Sequence, residues 1–61
     1  MDAIKYIDGL EVDENGDKTV QISFIESFFD MLPTELKAIA EKNGYRVWID
    51  EIVNDSMIFY K

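Results

Sequence analysis

The stretch Leu32-Pro33-Thr34-Glu35-Leu36-Lys37-Ala38-Ile39-Ala40-Glu41-Lys42-Asn43-Gly44 decides the fold reading. Leu32, Leu36, Ile39 and Ala40 line one face of a helical wheel while Glu35, Lys37, Glu41 and Lys42 fall elsewhere, so the spacing predicts an amphipathic helix. Pro33 fits only the first turn, where its missing N–H loses no intrahelical bond, and Gly44 suits the left-handed residue that closes a helix. The flanks on both sides alternate as strands do. This is therefore read as the only substantial helix, lying across a sheet that the flanks build.

Upstream, Ile4, Tyr6, Leu10 and Val12 occupy even positions of residues 3 to 12, which predicts a half-buried strand interrupted at Asp8-Gly9. Asp13 to Lys18, with Asn15-Gly16 inside it, reads as a hairpin turn. A second strand over Lys18 to Ile25 carries Val20, Ile22 and Phe24, again on even numbers. Both apolar sets share a face only if facing residues have like parity, so the loop must be of odd length, with Gly16 left-handed. Leu10 is then expected opposite Val20, and Tyr6 opposite Phe24. Ser27, with Asp30 three residues on, suggests a capped short turn leading to Pro33.

Downstream, Tyr45 to Val53 and Ser56 to Lys61 read as two more strands, joined by a two-residue turn at Asn54-Asp55 that pairs Ile52 with Met57 and Ile49 with Tyr60. In that register Val47, Ile49, Ile58 and Tyr60 share one face, and Trp48, Ile52, Met57 and Phe59 share the other. Both faces are apolar. The expected fold is α+β: residues 1–61 as one small domain of ββαββ order, an antiparallel sheet with one helix packed on one face. One helix covers one face, so the apolar patch of Trp48, Ile52, Met57 and Phe59 is left for the Phe28-Phe29 segment or a partner to cover.

Sixty-one residues without cysteine or histidine make a core with little reserve, burying only about 60% of the surface an unfolded chain of this size exposes. The missing side chains are also those that supply most acid, base, nucleophile and metal chemistry near neutral pH, so the chain is not read as an enzyme, and no cofactor or metal is expected. Asp13, Asn15 and Asp17 have the spacing that opens a calcium loop. Lys18 then stands where glycine is required, and Phe24 where a bidentate glutamate belongs. The start of the chain lacks a basic region followed by an apolar run, no apolar run approaches the ~20 residues of a membrane span, and no disordered tail is expected. A cytoplasmic location follows by default.

Thirteen acidic against six basic residues give a net charge of −7, which opposes direct binding to nucleic acid or anionic lipid and favours a basic protein partner. The acids group in sequence as Asp8, Glu11, Asp13, Glu14 and Asp17 around the first hairpin, and as Asp50, Glu51 and Asp55 around the second. Hairpin tips at one end of the sheet would merge them into a single anionic surface that imitates nucleic-acid phosphates. The functional expectation is a small acidic protein-binding module: a stoichiometric inhibitor of a basic, nucleic-acid-handling host protein, of the kind a phage encodes and acting in the host cytoplasm. The alternative is an obligate homo-oligomer, in the simplest case a homodimer, that uses the second apolar face as its self-interface.

Overall fold

The computed structural model describes residues 2–61. Its elements run α1 (Ala3–Asp8), β1 (Lys18–Gln21), α2 (Ile22–Phe28), α3 (Pro33–Lys42), β2 (Arg46–Asp50) and β3 (Ser56–Tyr60). The α+β class stands. The ββαββ order does not: the described residues run αβααββ, with three helices and a three-stranded antiparallel sheet of order β1-β3-β2.

α3 matches its sequence signals. Pro33 opens it, Leu36 and Ala40 are buried, and Gly44 follows the Asn43 cap with φ +89°. Leu32 is the N-cap residue and is exposed.

The first expected strand is a helix. Asp2 accepts a hydrogen bond on its side chain from the Ile4 N–H at 3.0 Å, satisfying one of the donors a helix start leaves open. Ala3 and Ile7, both on odd positions, are the buried residues. They lie four apart, on one helical face. The even-numbered alternation of Ile4 and Tyr6 is real but belongs to the flank of that face. With α1 in place there is no first hairpin, although its loop persists: Gly16 has φ +83°, and Asp13 N donates to the Asp17 carbonyl.

The second expected strand is cut short. β1 ends at Gln21 and the chain turns directly into α2, burying Ile22 and Ile25 three residues apart. The N-cap residue Gln21 makes no side-chain cap bond; instead the Ile22 N–H donates to the Asp55 carbonyl at 2.9 Å. Ser27 lies inside α2 and does not cap a turn, its hydroxyl reaching back to the Phe24 carbonyl at 3.4 Å. Asp30, also without a capping role, takes φ +52° just beyond α2, a conformation Asp tolerates better than most residues. Tyr6 and Phe24 do meet, with ring centroids 5.5 Å apart. They do so between two helices rather than across a hairpin, in a cluster that Phe28 and Phe29 complete.

The last two strands pair as expected but in another register: Val47 faces Phe59, Ile49 faces Met57 and Asp50 faces Ser56. Residues 51–55 form the connection. Asp50 is the cause, since its carboxylate accepts from Val53 N at 3.1 Å and from Asn54 Nδ2 at 3.2 Å, drawing residues 51 to 54 into a turn. A change of parity in the pairing flips one strand's side chains to the opposite face relative to its partner. Met57 and Phe59 therefore join Val47 and Ile49, not Trp48. With Val20 and Tyr45 they face the helices, and Ala3, Ile7, Ile22, Ile25, Leu36 and Ala40 close over them. Three helices thus cover one face of the sheet, not one helix.

Replacing Asp2 with Ala separates the two readings of the N-terminal segment. Loss of a helix N-cap is expected to cost about 1 kcal/mol, measured by urea unfolding, whereas a strand at residues 3 to 12 would leave stability unchanged.

Candidate protein-docking surface

The register decides where each predicted site residue lies. Of the expected patch, Met57 and Phe59 are fully buried, while Trp48 is 63% and Ile52 95% exposed. The four do not share a surface, because like-parity pairing moves the two residues of β3 to the helix side. Val53, assigned from sequence to a strand, is instead a tip residue and 79% exposed. On β2 and its loop the exposed apolar residues are therefore Trp48, on the outer face of the sheet, and Ile52 and Val53; Val12, Phe28 and Leu32 are exposed elsewhere.

That loop is built rather than slack. Besides the two bonds to the Asp50 carboxylate, Ser56 is buried and its hydroxyl donates to the Asn54 carbonyl at 3.0 Å. Asp55 adopts φ +50°, and its carbonyl receives the first N–H of α2. The loop is tied at one end to its own strand and at the other to a helix. Glu51 and Asp55 are exposed and Asp50 is half-buried, so three acids border the two aliphatic side chains.

The two acidic groups do not merge. Lys18 faces Phe59 and Gln21 faces Ser56, so the loop before β1 lies at one end of the sheet and the β2–β3 loop at the other, about 13 Å apart along β3. At the first end Glu11, Asp13 and Glu14 are exposed and Asp17 is half-buried. Asp13 is occupied in the turn itself, its Oδ1 accepting from Asn15 N at 2.8 Å and Asp17 N at 3.0 Å. Among the described residues no three His, Cys, Asp or Glu side chains converge as a metal site would require.

The same end gathers cations that give the sequence no motif. Lys18 Nζ donates to the Ile7 carbonyl at 3.0 Å and the Asp8 carbonyl at 2.9 Å, closing the C-terminus of α1 where a positive charge suits the helix dipole. Lys61 Nζ lies 4.6 Å from the Tyr45 ring centroid. With Phe59 and Tyr60 these groups line a half-open hollow of about 210 Å³. Asp8, exposed by residue, accepts a hydrogen bond from the Tyr45 hydroxyl on Oδ1. It is thus a structural tie between α1 and the start of β2 as well as a surface charge.

Comparison with family models, with curated proteins and with solved structures gave no match, so the site rests on the chemistry of this chain alone. No helix among the described residues is long and apolar enough to cross a membrane.

The Asp8 bond, then burial, then the Asp8 charge hold the Tyr45 pKa above its ordinary value of 10.0. A pKa higher in the folded than in the unfolded state adds stability that is complete below about pH 10 and is lost as the pH climbs through the folded-state value. Tyr45→Phe should cost about 1 kcal/mol at neutral pH and flatten this alkaline decline, both read from denaturant melts across pH.

Proposed function

We propose that this chain is a small acidic protein-binding module that docks through the β2–β3 hairpin onto a basic protein surface, acting by occupancy rather than by chemistry. The observation that carries the proposal is the pair Ile52 and Val53, 95% and 79% exposed on a loop pinned by Asp50. A loop already ordered in the free chain gives up little further entropy on binding. Two aliphatic side chains held in water, with a largely exposed tryptophan on the adjoining strand, provide the apolar centre of a contact. Asp50, Glu51 and Asp55 beside them form a rim complementary to lysine and arginine.

The net charge of −7 argues for a protein rather than a nucleic acid or anionic membrane as partner. An inhibitor of a basic, nucleic-acid-handling protein, phage-encoded or otherwise, is one form of this reading. Its apolar contact and the charge beside it are both supplied by the β2–β3 hairpin, because the acids of the loop before β1 lie at the far end of the sheet.

The test is retention of proteins from a cell extract on the immobilised chain, compared with the double variant Ile52→Ser, Val53→Ser. Both side chains are exposed, so the variant should melt as the parent does while losing the specifically retained species. Those species should elute as salt rises from about 0.05 to 0.5 M, since screening weakens attraction between exposed charges. Equal retention by parent and variant would sink the hairpin as the docking element, and elution indifferent to salt would remove the basic partner.

A further inference from the structure

The order β1-β3-β2 leaves β2 at a sheet edge. Apart from its ladder to β3, no backbone hydrogen bond among the described residues involves Arg46 to Asp50. One side of this strand therefore offers a row of open donors and acceptors. Proteins usually protect such an edge with a proline, a bulge, an inward lysine or a very short strand. β2 has no proline, bulge or lysine, and its two charges, Arg46 and Asp50, stand only at its ends: it is Arg46-Val47-Trp48-Ile49-Asp50, and all five residues pair one to one with β3. The opposite edge differs. β1 has four residues, places Lys18 on the helix-facing side, and runs straight into α2.

We infer that β2 is a self-pairing edge that joins two copies of this chain into a dimer with one continuous six-stranded sheet. The strand is complementary to its own reverse. Set antiparallel to itself with Trp48 opposite Trp48, it places Arg46 opposite Asp50 of the second copy and Asp50 opposite its Arg46. Val47 then faces Ile49, and Ile49 faces Val47. Opposite charges directly across an antiparallel pair attract and like charges repel. Among self-pairings of this strand, only the one centred on Trp48 matches both charges and keeps Val47 and Ile49 on the helix-covered side in both copies. A register shifted by one residue puts the apolar pair of one copy on the wrong face.

The contact is isologous, so it closes at two copies, and the lysine-bearing β1 edges stay outermost. Each half-buried Val47 and Ile49 gains cover, and the two Trp48 rings become neighbours on the outer face. The hairpin tips with Ile52 and Val53 project from opposite ends of the junction. Dimerisation thus leaves Ile52 and Val53 free, while Trp48 and Asp50 belong to both the junction and the docking surface; the dimer does not require a foreign partner.

Two chains of −7 repel at long range, whereas the Arg46 and Asp50 contacts act at close range. Salt near 0.15 M, with a screening length of about 8 Å, suppresses the first more than the second. The dimer should accordingly strengthen from low to moderate salt, the reverse of docking onto a basic partner.

Sedimentation equilibrium of the purified chain over micromolar to sub-millimolar concentrations tests the inference. The wild-type chain is expected to dimerise. Arg46→Asp and Asp50→Arg should each weaken self-association by about tenfold or more, and an equimolar mixture of the two variants should recover a heterodimer, because every charge pair across the junction is again of opposite sign. Circular dichroism melts establish that each variant is folded. Since Asp50 also holds the hairpin loop, a second measurement uses the unmodified chain: amide hydrogen exchange at Arg46 to Asp50 should slow as concentration rises. A wild-type chain that stays monomeric, a dimer that Arg46→Asp leaves intact, or exchange in β2 indifferent to concentration would each overturn the proposal.

Discussion

Everything in this protein closes on one narrow surface, the helix-facing side of β3. Met57 and Phe59 are fully buried there, flanked by Val20 on β1 and by Val47 and Ile49 on β2. A chain of this length cannot build a second core, so all three helices must bring their apolar residues to that side. Ile7 of α1, Ile25 of α2 and Leu36 of α3 are each buried against it. Their burial and the pairing of β3 with both neighbours depend on each other. If β3 paired in the other parity, Met57 and Phe59 would turn to water and the helices would lose what they cover.

The helices are short, six, seven and ten residues, and helices of that size are marginal in isolation. Tertiary bonds at their ends make up the difference. Lys18 from β1 closes α1, and the Asp55 carbonyl from the β2–β3 loop receives the first N–H of α2. The Tyr45 hydroxyl ties Asp8 at the end of α1 to the start of β2. Among the described residues no buried side-chain nitrogen or oxygen lacks a partner. The polar network therefore joins elements that the apolar core has already brought together.

The price of putting every helix on one side is a sheet with a bare back. Trp48 stands on it, and the aliphatic tip of the hairpin extends beyond it. The proposed docking role and the proposed self-pairing both arise from this asymmetry. Docking centres on the side chains of the loop, whereas self-pairing centres on the backbone of the edge strand; Trp48 and Asp50 take part in both.

By itself the sequence determined the α+β class, the one long helix with both its ends, the left-handed turn at Gly16, the last two strands, and a net charge of −7. These features depend on local chemistry: proline and glycine conformations, a helical stripe, a charge count. The tertiary structure decided the rest. Residues 3 to 8 fit a strand by Ile4 and Tyr6 and a helix by Ala3 and Ile7, and the position of the core chose between them, with Asp2 capping the helix. Ile22 to Phe28 alternate over their first residues, yet they form a helix that buries Ile22 and Ile25 in the core and whose first N–H is taken by the Asp55 carbonyl, more than thirty residues away along the chain. The register of the last hairpin turned on the Asp50 carboxylate drawing residues 51 to 54 into the loop, and with it the fates of Met57, Phe59 and Trp48. Periodicity tells which residues share a face over a few positions. Which face meets the core depends on contacts distant in sequence, and those exist only once the chain is folded.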